Sequence, residues 1–357
     1  MQPFPTLYVD LEVVQSNIAR MSEKAKKAGV EFRPHFKTHQ SKDIGRIFRE
    51  FGVTGITVSS IKMAEYFLSD GWDDITIAFP ANVLAHKSYN DMCKKASLKT
   101  LVISEEVVKK LDQKLEHDLG LYIEIDPDYG RSGVPVSEMN RIRTLLKVIE
   151  ESEHCYPAGF YCHAGHTYKA RSRGEVEKIS REALQKLEVL KEHFPKLPVC
   201  FGDTPSCSVL DEFGPATQIS PGNFVFYDWM QVQIGSCSPN EIGIYMECPV
   251  IEKFSDRNQV LIHGGAVHFS KDSVQVDDYL SYGEPMLKYL SEETYVKSLS
   301  QEHGIIQCSS YVFNKLNVGE TIQIFPIHSC LTADLMREYH TKDGQVLDHM
   351  NGQQGNS

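Results

Sequence analysis

Apolar, β-branched runs alternate with amphipathic stretches over the first two thirds of the chain. A strand-like run at 6–10 and a helical pattern over 11–27 come first, and eight further apolar runs follow. The eight predicted strands cover 31–37, 56–59, 75–78, 100–103, 121–125, 158–162, 199–201 and 217–219. Because a crossover helix returns the chain to the same end of a sheet, these strands are expected to be parallel. Eight such units in about 200 residues favour an α/β fold with an N-terminal (β/α)8 TIM barrel.

The pattern changes after about residue 235. Short apolar runs at 250–251, 260–262, 274–276, 305–307 and 321–324 follow with few helical stretches between them, which predicts a C-terminal mainly-β domain. We therefore predict a barrel domain over 1–235 and a β domain over 236–345. The polar, glycine-containing stretch 346–357 is expected to be a disordered tail.

Composition narrows the function classes. The 357 residues are 41% hydrophobic and 24% charged, as in soluble globular proteins. The net charge of −11 argues against a nucleic-acid partner, which requires a basic face. We find no apolar run of membrane-spanning length and no signal peptide, so no membrane association is expected. The nine cysteines are scattered singly, which is typical of reduced thiols and predicts a cytoplasmic location.

A lysine lies where the first barrel strand is predicted to end. The segment reads Arg33-Pro34-His35-Phe36-Lys37-Thr38-His39. In a barrel of this kind, chemistry takes place at the carboxyl ends of the strands. Positive neighbours favour the neutral amine of Lys37, which is the form that attacks a carbonyl group. The alternative from local pattern is a basic strand end in contact with solvent.

Two late loops are candidates for holding a phosphate. Gly202-Asp203-Thr204-Pro205-Ser206 follows a strand and begins a helix, where backbone amides and hydroxyl groups can bind a dianion. The alternative is an ordinary helix cap built on Asp203 or Thr204. Pro221-Gly222-Asn223 lies in the next loop, and the last loops of a barrel are the usual phosphate sites.

Two further loops carry polar side chains at strand ends. Arg131 lies in a loop with glycines on either side and can reach a ring oxygen or a carboxylate, although a plain connecting loop is an equal alternative. His163 directly follows the sixth strand, with His166 three residues later. We favour a histidine packed on a planar ligand, or a structural histidine, over a metal pair, and His163 is the better placed.

In the second domain His328-Ser329-Cys330 follows a strand. On an extended stretch His-x-Cys directs both side chains to one face, with a spacing suited to Zn²⁺. The alternative is a buried cysteine that packs beside a histidine. The polar loops at 263–268 and 302–304 are expected to be structural or to face the substrate rather than to bind metal.

Taken together, these motifs resemble the fold type III pyridoxal phosphate enzymes of the D-serine dehydratase and D-threonine aldolase group, over about residues 5–340. The resemblance implies that Lys37 forms a Schiff base with pyridoxal 5'-phosphate. It places Arg131 near the phenolic oxygen and His163 against the pyridine ring. It assigns the phosphate to Gly202, Thr204, Gly222 and Asn223, with Tyr227 close by. Ser220 stands where the related racemases have an arginine that pairs with the ring nitrogen, which disfavours plain alanine racemase activity.

The same resemblance implies that His328 and Cys330 bind a metal ion. D-serine dehydratases of this group have His-x-Cys as metal ligands, whereas the aldolases usually have His-x-Asp, and a thiolate selects zinc. The implied reaction is the zinc-dependent dehydration of a D-3-hydroxy amino acid, with D-serine giving pyruvate and ammonia. Lys37 would remove the Cα proton while Zn²⁺ assists departure of the β-hydroxyl group. The group also implies a homodimer.

Three other functions remain open from the sequence. A D-threonine aldolase needs the same cofactor and metal, and so does a 3-hydroxyaspartate aldolase or dehydratase. A non-catalytic pyridoxal phosphate carrier belongs to another class and resembles the barrel alone. The additional hundred or so residues that contain His328 and Cys330 speak against it.

Overall fold

The computed structural model describes residues 2–287 and 294–352. In chain order, the strands in these residues are β1 Thr6–Val9, β2 Glu31–Phe32, β3 Ile56–Val58, β4 Asp74–Pro80, β5 Ser97–Val102, β6 Leu119–Asp126, β7 Val134–Pro135, β8 Cys155–Cys162, β9 Val199–Phe201, β10 Gln218–Ile219, β11 Ile244–Phe254, β12 Gln259–His263, β13 Val274–Val276, β14 Tyr279–Ser281, β15 Gly283–Pro285, β16 Tyr295–Leu299, β17 His303–Gln307, β18 Thr321–Pro326, β19 Tyr339–His340 and β20 Val346–Leu347. The helices are α1 Leu11–Ala28, α2 Lys42–Glu50, α3 Ile61–Leu68, α4 His86–Cys93, α5 Glu105–Asp112, α6 Met139–Glu150, α7 Arg173–His193, α8 Thr204–Val209, α9 Trp229–Ile234, α10 Ala266–Phe269, α11 Ser310–Lys315 and α12 Ser329–Met336. Short 3-10 turns lie at Val83–Ala85, Val136–Glu138, Gly165–Lys169, Asn223–Val225 and Pro239–Glu241.

Eight parallel strands form a barrel in the order β2-β10-β9-β8-β6-β5-β4-β3. A parallel bridge between His35 and Thr57 joins the two ends of this order. There the Thr57 N–H donates to Pro34 O (2.9 Å) and the Phe36 N–H donates to Thr57 O (2.8 Å). All eight strands predicted from the sequence are present, and the (β/α)8 barrel is confirmed.

The first barrel strand is shorter than predicted. Regular pairing of β2 ends at Phe32, whereas the pattern predicted a strand to Lys37. Pro34 has no N–H to donate to a neighbouring strand, so the ladder is interrupted there. The chain beyond it forms the single bridge at His35 and then a turn, which leaves Lys37 in irregular backbone.

Local signals set the helix boundaries in the barrel. Ser60, Ser104 and Ser172 each accept a hydrogen bond from a backbone N–H three residues on, and so cap α3, α5 and α7. The residue pattern over 61–68 predicts a helix, and α3 covers the same residues. By contrast, the residue pattern predicts a helix over 105–117, whereas α5 ends at Asp112.

An ion network occupies the start of the barrel strands. The side chain of Arg33 is 2% exposed, and its guanidinium donates to both carboxylate oxygens of Asp74 at 2.7 and 2.8 Å. Arg33 also donates to Glu31, and Lys99 donates to the same Asp74 carboxylate. These partners outweigh burial and lower the pKa of Asp74 to about 2. The arginine is therefore held in one geometry, since breaking a buried pair leaves a charge uncompensated.

Gly55→Ala is expected to destabilise the barrel because of this arginine. A Cβ atom at residue 55 would lie 2.2 Å from Arg33 Nη1, and the pinned guanidinium has no room to move aside. We expect a loss of about 2–4 kcal/mol in the free energy of unfolding. Denaturant titration measures this free energy of unfolding. The control is Gly174→Ala, at a helical site where a Cβ would have no atom within 4 Å. There we expect a gain in stability of about 0.5–1 kcal/mol. Equal unfolding midpoints for the two variants would contradict this account.

The second sheet is mainly antiparallel, with the order β16-β17-β12-β11-β1-β19-β20, and with β18 paired to β11 and β15. Every C-terminal strand predicted from the sequence is present: β11, β12, β13, β17 and β18. The strand near the N-terminus, β1, pairs with β11 antiparallel and with β19. Local pattern predicts β1 as a strand but contains no signal for a partner more than 200 residues away.

The chain divides into two compact units. The barrel unit comprises Ala19–Lys37 and Gly45–Gly222, and the β unit comprises the described residues within Met1–Ile18, Thr38–Ile44 and Asn223–Ser357. The division at residue 235 stays a prediction about domains. Within the described residues, no helix combines the length and the apolar character needed to cross a membrane.

The expected disorder from residue 346 is wrong for the described part of that stretch. Strand β20 pairs with β19, and the backbone N–H of Met350 donates to Gln40 O at 2.7 Å. Composition suggested a tail because the stretch is polar, but its polar groups have partners within the β unit. The remainder of the predicted tail, 353–357, lies outside the described residues.

Candidate active site

Lys37 is exposed within a buried segment. Residues 32–36 and 38–41 are buried, whereas the Lys37 side chain is exposed. The neighbouring Phe36 is fully buried among Phe48, Phe67 and Trp72, with ring centroids 4.9–5.2 Å apart. This aromatic anchor fixes the backbone at the strand end, and the Lys37 N–H donates to His35 Nδ1 at 3.3 Å. The exposed Lys37 side chain therefore extends from an anchored backbone.

His163 is held as a neutral imidazole at the end of β8. Its Nδ1 lies 2.8 Å from the carbonyl oxygen of Gly202, which can only accept, so Nδ1 carries the proton. Burial, and then the positive charges of Lys37 and Arg131, lower the pKa of His163 to about 3. The charges of Lys37 and Arg131 therefore act on the same imidazole. The structure brings together three of the predicted site residues: Lys37, Arg131 and His163.

The loop of Arg131 is built on Asp126. The Asp126 carboxylate accepts from the N–H groups of Tyr129 and Gly130 at 2.8 and 3.1 Å. The Arg131 guanidinium lies 5.5 Å from the centre of the Tyr129 ring and 3.8 Å from a carboxylate oxygen of Glu124. This arrangement orders the loop and keeps a half-exposed cation at the strand ends.

Glu124 and Tyr129 are residues that sequence reasoning missed. Glu124 lies inside β6, is 3% exposed and accepts from Ser132 Oγ at 2.7 Å through one oxygen. Its other oxygen is buried and has no hydrogen-bond partner among the described residues. The Tyr129 ring lies 6.1 Å from that of His163 and stacks on His166 at 5.9 Å. The apolar pattern of this strand does not indicate that an acidic side chain within it is buried and lies beside the loop of Arg131.

The 202–206 loop contains a helix cap built on Asp203, which is the alternative to a phosphate site. Asp203 accepts from the N–H and the hydroxyl of Ser206, both at 2.8 Å, and from Thr167 at 2.9 Å. Burial raises the pKa of Asp203 to about 6. The Ser206 hydroxyl is thereby occupied, which favours the helix-cap alternative at this residue. Thr204 is fully buried at the first position of α8.

Gly202 and Gly222 lie on neighbouring strand ends. The Gly202 N–H already donates to Cys162 O, and a Cβ there would lie 2.8 Å from Ser220 N, so this position serves close backbone approach. Gly222 follows Pro221, whose carbonyl accepts from the His35 N–H at 2.8 Å. The second loop therefore lies beside the segment that carries Lys37. Their contribution to phosphate binding stays a prediction.

Asn223 and Tyr227 belong to the β unit. The Asn223 amide donates to Asp228 (2.6 Å) and Ser329 (2.8 Å), and it lies 3.7 Å from the Cys330 sulfur. Tyr227 is buried with a positive φ of 49°, which is uncommon for a residue with a Cβ. The structure thus places Asn223 beside the predicted metal ligand. The cofactor roles of Asn223 and Tyr227 stay predictions.

His328 and Cys330 lie at a helix start rather than on an extended stretch. Helix α12 begins at Ser329 because the buried Asp228 carboxylate accepts from the Ser329 N–H at 3.0 Å and its hydroxyl at 3.1 Å. The expectation of an extended His-x-Cys segment is therefore wrong. The two side chains are nevertheless neighbours, since the histidine forms a hydrogen bond with Cys330. The Cys330 thiol also lies 3.3 Å from Thr38 Oγ1.

Asp272 is a second functional candidate that the sequence did not reveal. Its carboxylate lies 2.6 Å from His328 Nδ1. Burial opposes a charge on His328, but the hydrogen bonds with Asp272 and Cys330 outweigh it and raise the pKa of His328 to about 11. A carboxylate on the far nitrogen is the usual partner of a metal-bound histidine. The two residues are 56 positions apart, so no local pattern connects them.

A second group with metal-binding potential lies at the loops around 263–268 and 302–304. Ligand atoms of His263, His268 and Glu302 lie within 4.8 Å of one another. However, His268 Nδ1 accepts from the Gly265 N–H at 3.1 Å, so the neutral ring carries its proton on the nitrogen that faces Glu302. Metal-bound histidines have the opposite polarity, with the free nitrogen donating. These residues form a hydrogen-bonded cluster, in line with the structural interpretation of these loops.

Family models match both parts of the chain. The model described as "Alanine racemase, N-terminal domain" matches residues 9–226, more than half of the chain. The model described as "Putative serine dehydratase domain" matches residues 244–342.

Curated relatives and solved structures match nearly the whole length. A D-serine dehydratase of Dictyostelium discoideum is 27% identical, over 96% of this chain and 95% of its own. A 3-hydroxy-D-aspartate aldolase of Paracoccus denitrificans is 23% identical, over 96% and 89%. The structure of D-threo-3-hydroxyaspartate dehydratase from Delftia sp. HT23 aligns with a TM-score of 0.88 at 24% identity, over 98% of both chains. A cysteine-to-alanine variant of that dehydratase, in a metal-free form, aligns with a TM-score of 0.86 at 24% identity, also over 98% of both.

These matches agree with the barrel and with the mainly-β C-terminal strands. The resemblance inferred from the motifs is confirmed. The chain belongs to the alanine racemase N-terminal domain family, in the D-serine dehydratase and D-threonine aldolase group.

Proposed function

We propose that this chain is a pyridoxal phosphate- and zinc-dependent dehydratase that converts D-serine, a D-3-hydroxy amino acid, to pyruvate and ammonia. One observation carries the proposal. The neutral imidazole of His163 lies 6.1 Å from the Tyr129 ring, and the Arg131 guanidinium lies over that same ring at 5.5 Å, in the barrel unit that also contains Lys37. A lysine amine, a flat uncharged ring and a nearby guanidinium are what an anionic aromatic aldehyde requires.

The residues of the barrel unit fit pyridoxal phosphate. His163 can pack against the pyridine ring because its proton is fixed on Nδ1 and it carries no charge to repel the cations beside it. Arg131 would lie near the phenolic oxygen, while Gly202, Thr204, Gly222 and Asn223, with Tyr227 close by, would hold the phosphate. Lys37 would carry the cofactor covalently. When bound, the cofactor supplies a sink for the electron pair that remains at the substrate Cα.

Three residues of the chain would have separate roles in the reaction. Lys37 Nζ would take the proton from the substrate Cα, because the exposed lysine extends from an anchored backbone. Arg131 would neutralise negative charge close to the ring. Ser220, buried at the end of β10, is uncharged and would leave the ring nitrogen without an ionic partner.

The His328 and Cys330 side chains fit a zinc ion. Nitrogen and thiolate ligands match Zn²⁺, and Asp272 occupies His328 Nδ1, so Nε2 would bind the metal in place of its proton. The Asn223 carboxamide nitrogen lies 3.7 Å from the Cys330 sulfur, and its oxygen is buried without a partner among the described residues, which suits a polar ligand. When bound, zinc supplies Lewis-acid assistance to the departing β-hydroxyl oxygen.

Aldol cleavage is the second candidate. The related 3-hydroxy-D-aspartate aldolase favours it, while Cys330 in place of an aspartate favours dehydration. The relatives also include a D-threo-3-hydroxyaspartate dehydratase, so a larger substrate is a further option. We also propose a homodimer in the cytoplasm. The free state of all nine cysteines supports a reducing compartment.

A product assay separates these functions. With D-serine, D-threonine and D-3-hydroxyaspartate as substrates, we expect 2-oxo acid and ammonia in equal amounts and the highest kcat/KM for D-serine. L-serine is the matched control and should give no product, because the base and the cofactor face are fixed. Glycine together with an aldehyde would establish aldol cleavage instead. Cofactor binding without turnover of any of them would indicate a carrier.

A further inference from the structure

The backbone that follows Lys37 is held in an uncommon conformation. Thr38, His39 and Ser41 are fully buried and precede α2. Gln40 has a φ of +46°, a region that residues with a Cβ adopt at a cost of about 1–3 kcal/mol. Such strain persists only where surrounding contacts impose it. The contacts that impose it come from the C-terminal end of the chain.

Residues within 334–351 form hydrogen bonds with His39 and Gln40. The Tyr339 hydroxyl donates to His39 O at 2.5 Å, and the Met350 N–H donates to Gln40 O at 2.7 Å. The Gln40 side-chain amide donates to Asp334 at 3.2 Å, and the same aspartate accepts from Asn351 at 3.1 Å. Both carbonyls next to the strained peptide are therefore satisfied by the C-terminal segment.

Asp348 caps helix α2 from a distance in sequence of more than 300 residues. Its carboxylate accepts from the Ser41 hydroxyl (2.8 Å), the Lys42 N–H (3.2 Å) and the Asp43 N–H (3.0 Å). In return, the Asp348 N–H donates to the Asp43 carboxylate at 3.1 Å. A negative charge at a helix N-terminus is stabilising, and hydrogen bonds from backbone N–H groups to a carboxylate are stronger than those between neutral groups.

We propose that Asp348 is a positioning residue for Lys37. We call the hydrogen bonds that hold residues 38–43 the clamp. Lys37 is one peptide bond from Thr38, so the clamp also restricts the backbone of Lys37 and the direction of its side chain. Without the clamp, the strained peptide at Gln40 would relax and the amine would sample more orientations. This inference rests on the proposed role of Lys37 as the residue that binds the cofactor.

The test compares Asp348→Asn with Asp343→Asn. The second aspartate lies in the same C-terminal segment but is hydrogen-bonded only to Thr341 and Gln345 among the described residues. Apoprotein is mixed with pyridoxal phosphate, and the lysine-bound cofactor is followed by its absorbance and by borohydride trapping on Lys37. We expect the rate of attachment to fall about tenfold in Asp348→Asn, as for loss of a helix-capping carboxylate, and to be unchanged in Asp343→Asn.

Two further readouts separate positioning from stability. The pH midpoint of the lysine-bound absorbance should shift in Asp348→Asn, and kcat for D-serine should fall at saturating cofactor, at a temperature where the variant is fully folded. A lower Tm with unchanged attachment rate, pH midpoint and kcat would overturn the inference. If Asp348→Asn does not fold, Tyr339→Phe removes only the hydroxyl that bonds His39 O, and the same outcomes apply. Failure of the unmodified protein to attach the cofactor at Lys37 would instead refute the proposed function.

Discussion

Replacement of Lys37 by alanine is expected to abolish the yellow absorbance of the lysine-bound cofactor and to lower kcat by about 10²–10⁴-fold or more. The reason is chemical rather than structural. The side chain is exposed, and the backbone around it is fixed by Phe36 and by the His35–Thr57 bridge, so the fold should tolerate the change. The alanine variant loses both the covalent attachment and the base that takes the Cα proton.

Absorbance spectroscopy of the reconstituted protein, with borohydride reduction and peptide mass analysis, measures the attachment directly. Lys94→Ala is the matched control, since that lysine is exposed, directly follows helix α4 and pairs with Asp91 three residues earlier. It should retain the absorbance, the modified peptide and the activity. A Lys37→Ala protein that keeps the absorbance would show that another amine binds the cofactor, and the proposed function would fail with it.

The sequence predicted the barrel well because its signals are local. Each barrel strand is a short apolar run next to a polar loop, and caps such as Ser60 and Ser104 mark the helix starts. The eight strands follow from that rhythm alone. Lys37 could be identified in the same way, because residues that follow the carboxyl ends of barrel strands are where the catalytic residues of this fold lie.

What the sequence could not predict depends on long-range pairing. The partner of β1 is β11, and the partner of His328 is Asp272. The start of α12 depends on Asp228, which lies 101 positions before Ser329. An extended His-x-Cys stretch was a reasonable expectation from spacing, but a buried carboxylate elsewhere in the chain converts it into a helix start.

The C-terminal stretch shows the same limit. Its polar, glycine-containing composition indicated disorder, because composition reports how much apolar area a segment can bury. It does not report specific hydrogen bonds. Asp348 and Tyr339 bind a strained backbone near the other end of the chain, and those bonds order the segment up to residue 352.

Removal of zinc is expected to stop dehydration while the cofactor stays attached to Lys37. The ligands we propose for the metal, His328 and Cys330, are separate from the lysine that carries the cofactor. Dialysis against a chelator should therefore eliminate D-serine turnover and leave the yellow absorbance intact, and added Zn²⁺ should restore activity. His328→Ala and Cys330→Ala should each remove the metal, since two protein ligands cannot be reduced to one without loss of binding. Elemental analysis should give about one zinc per chain before treatment.

Asp272→Asn provides the graded test of this metal site. The substitution keeps the size of the side chain but removes the charge that faces His328 Nδ1 at 2.6 Å. Loss of such a partner weakens metal affinity by about 10–100-fold, so activity should return at high Zn²⁺ concentration. His263→Ala is the control, because its cluster with His268 and Glu302 has the wrong polarity for a metal ligand. If instead His263→Ala lowers the zinc content and His328→Ala does not, the metal lies in that cluster and the assignment to His328 and Cys330 is wrong.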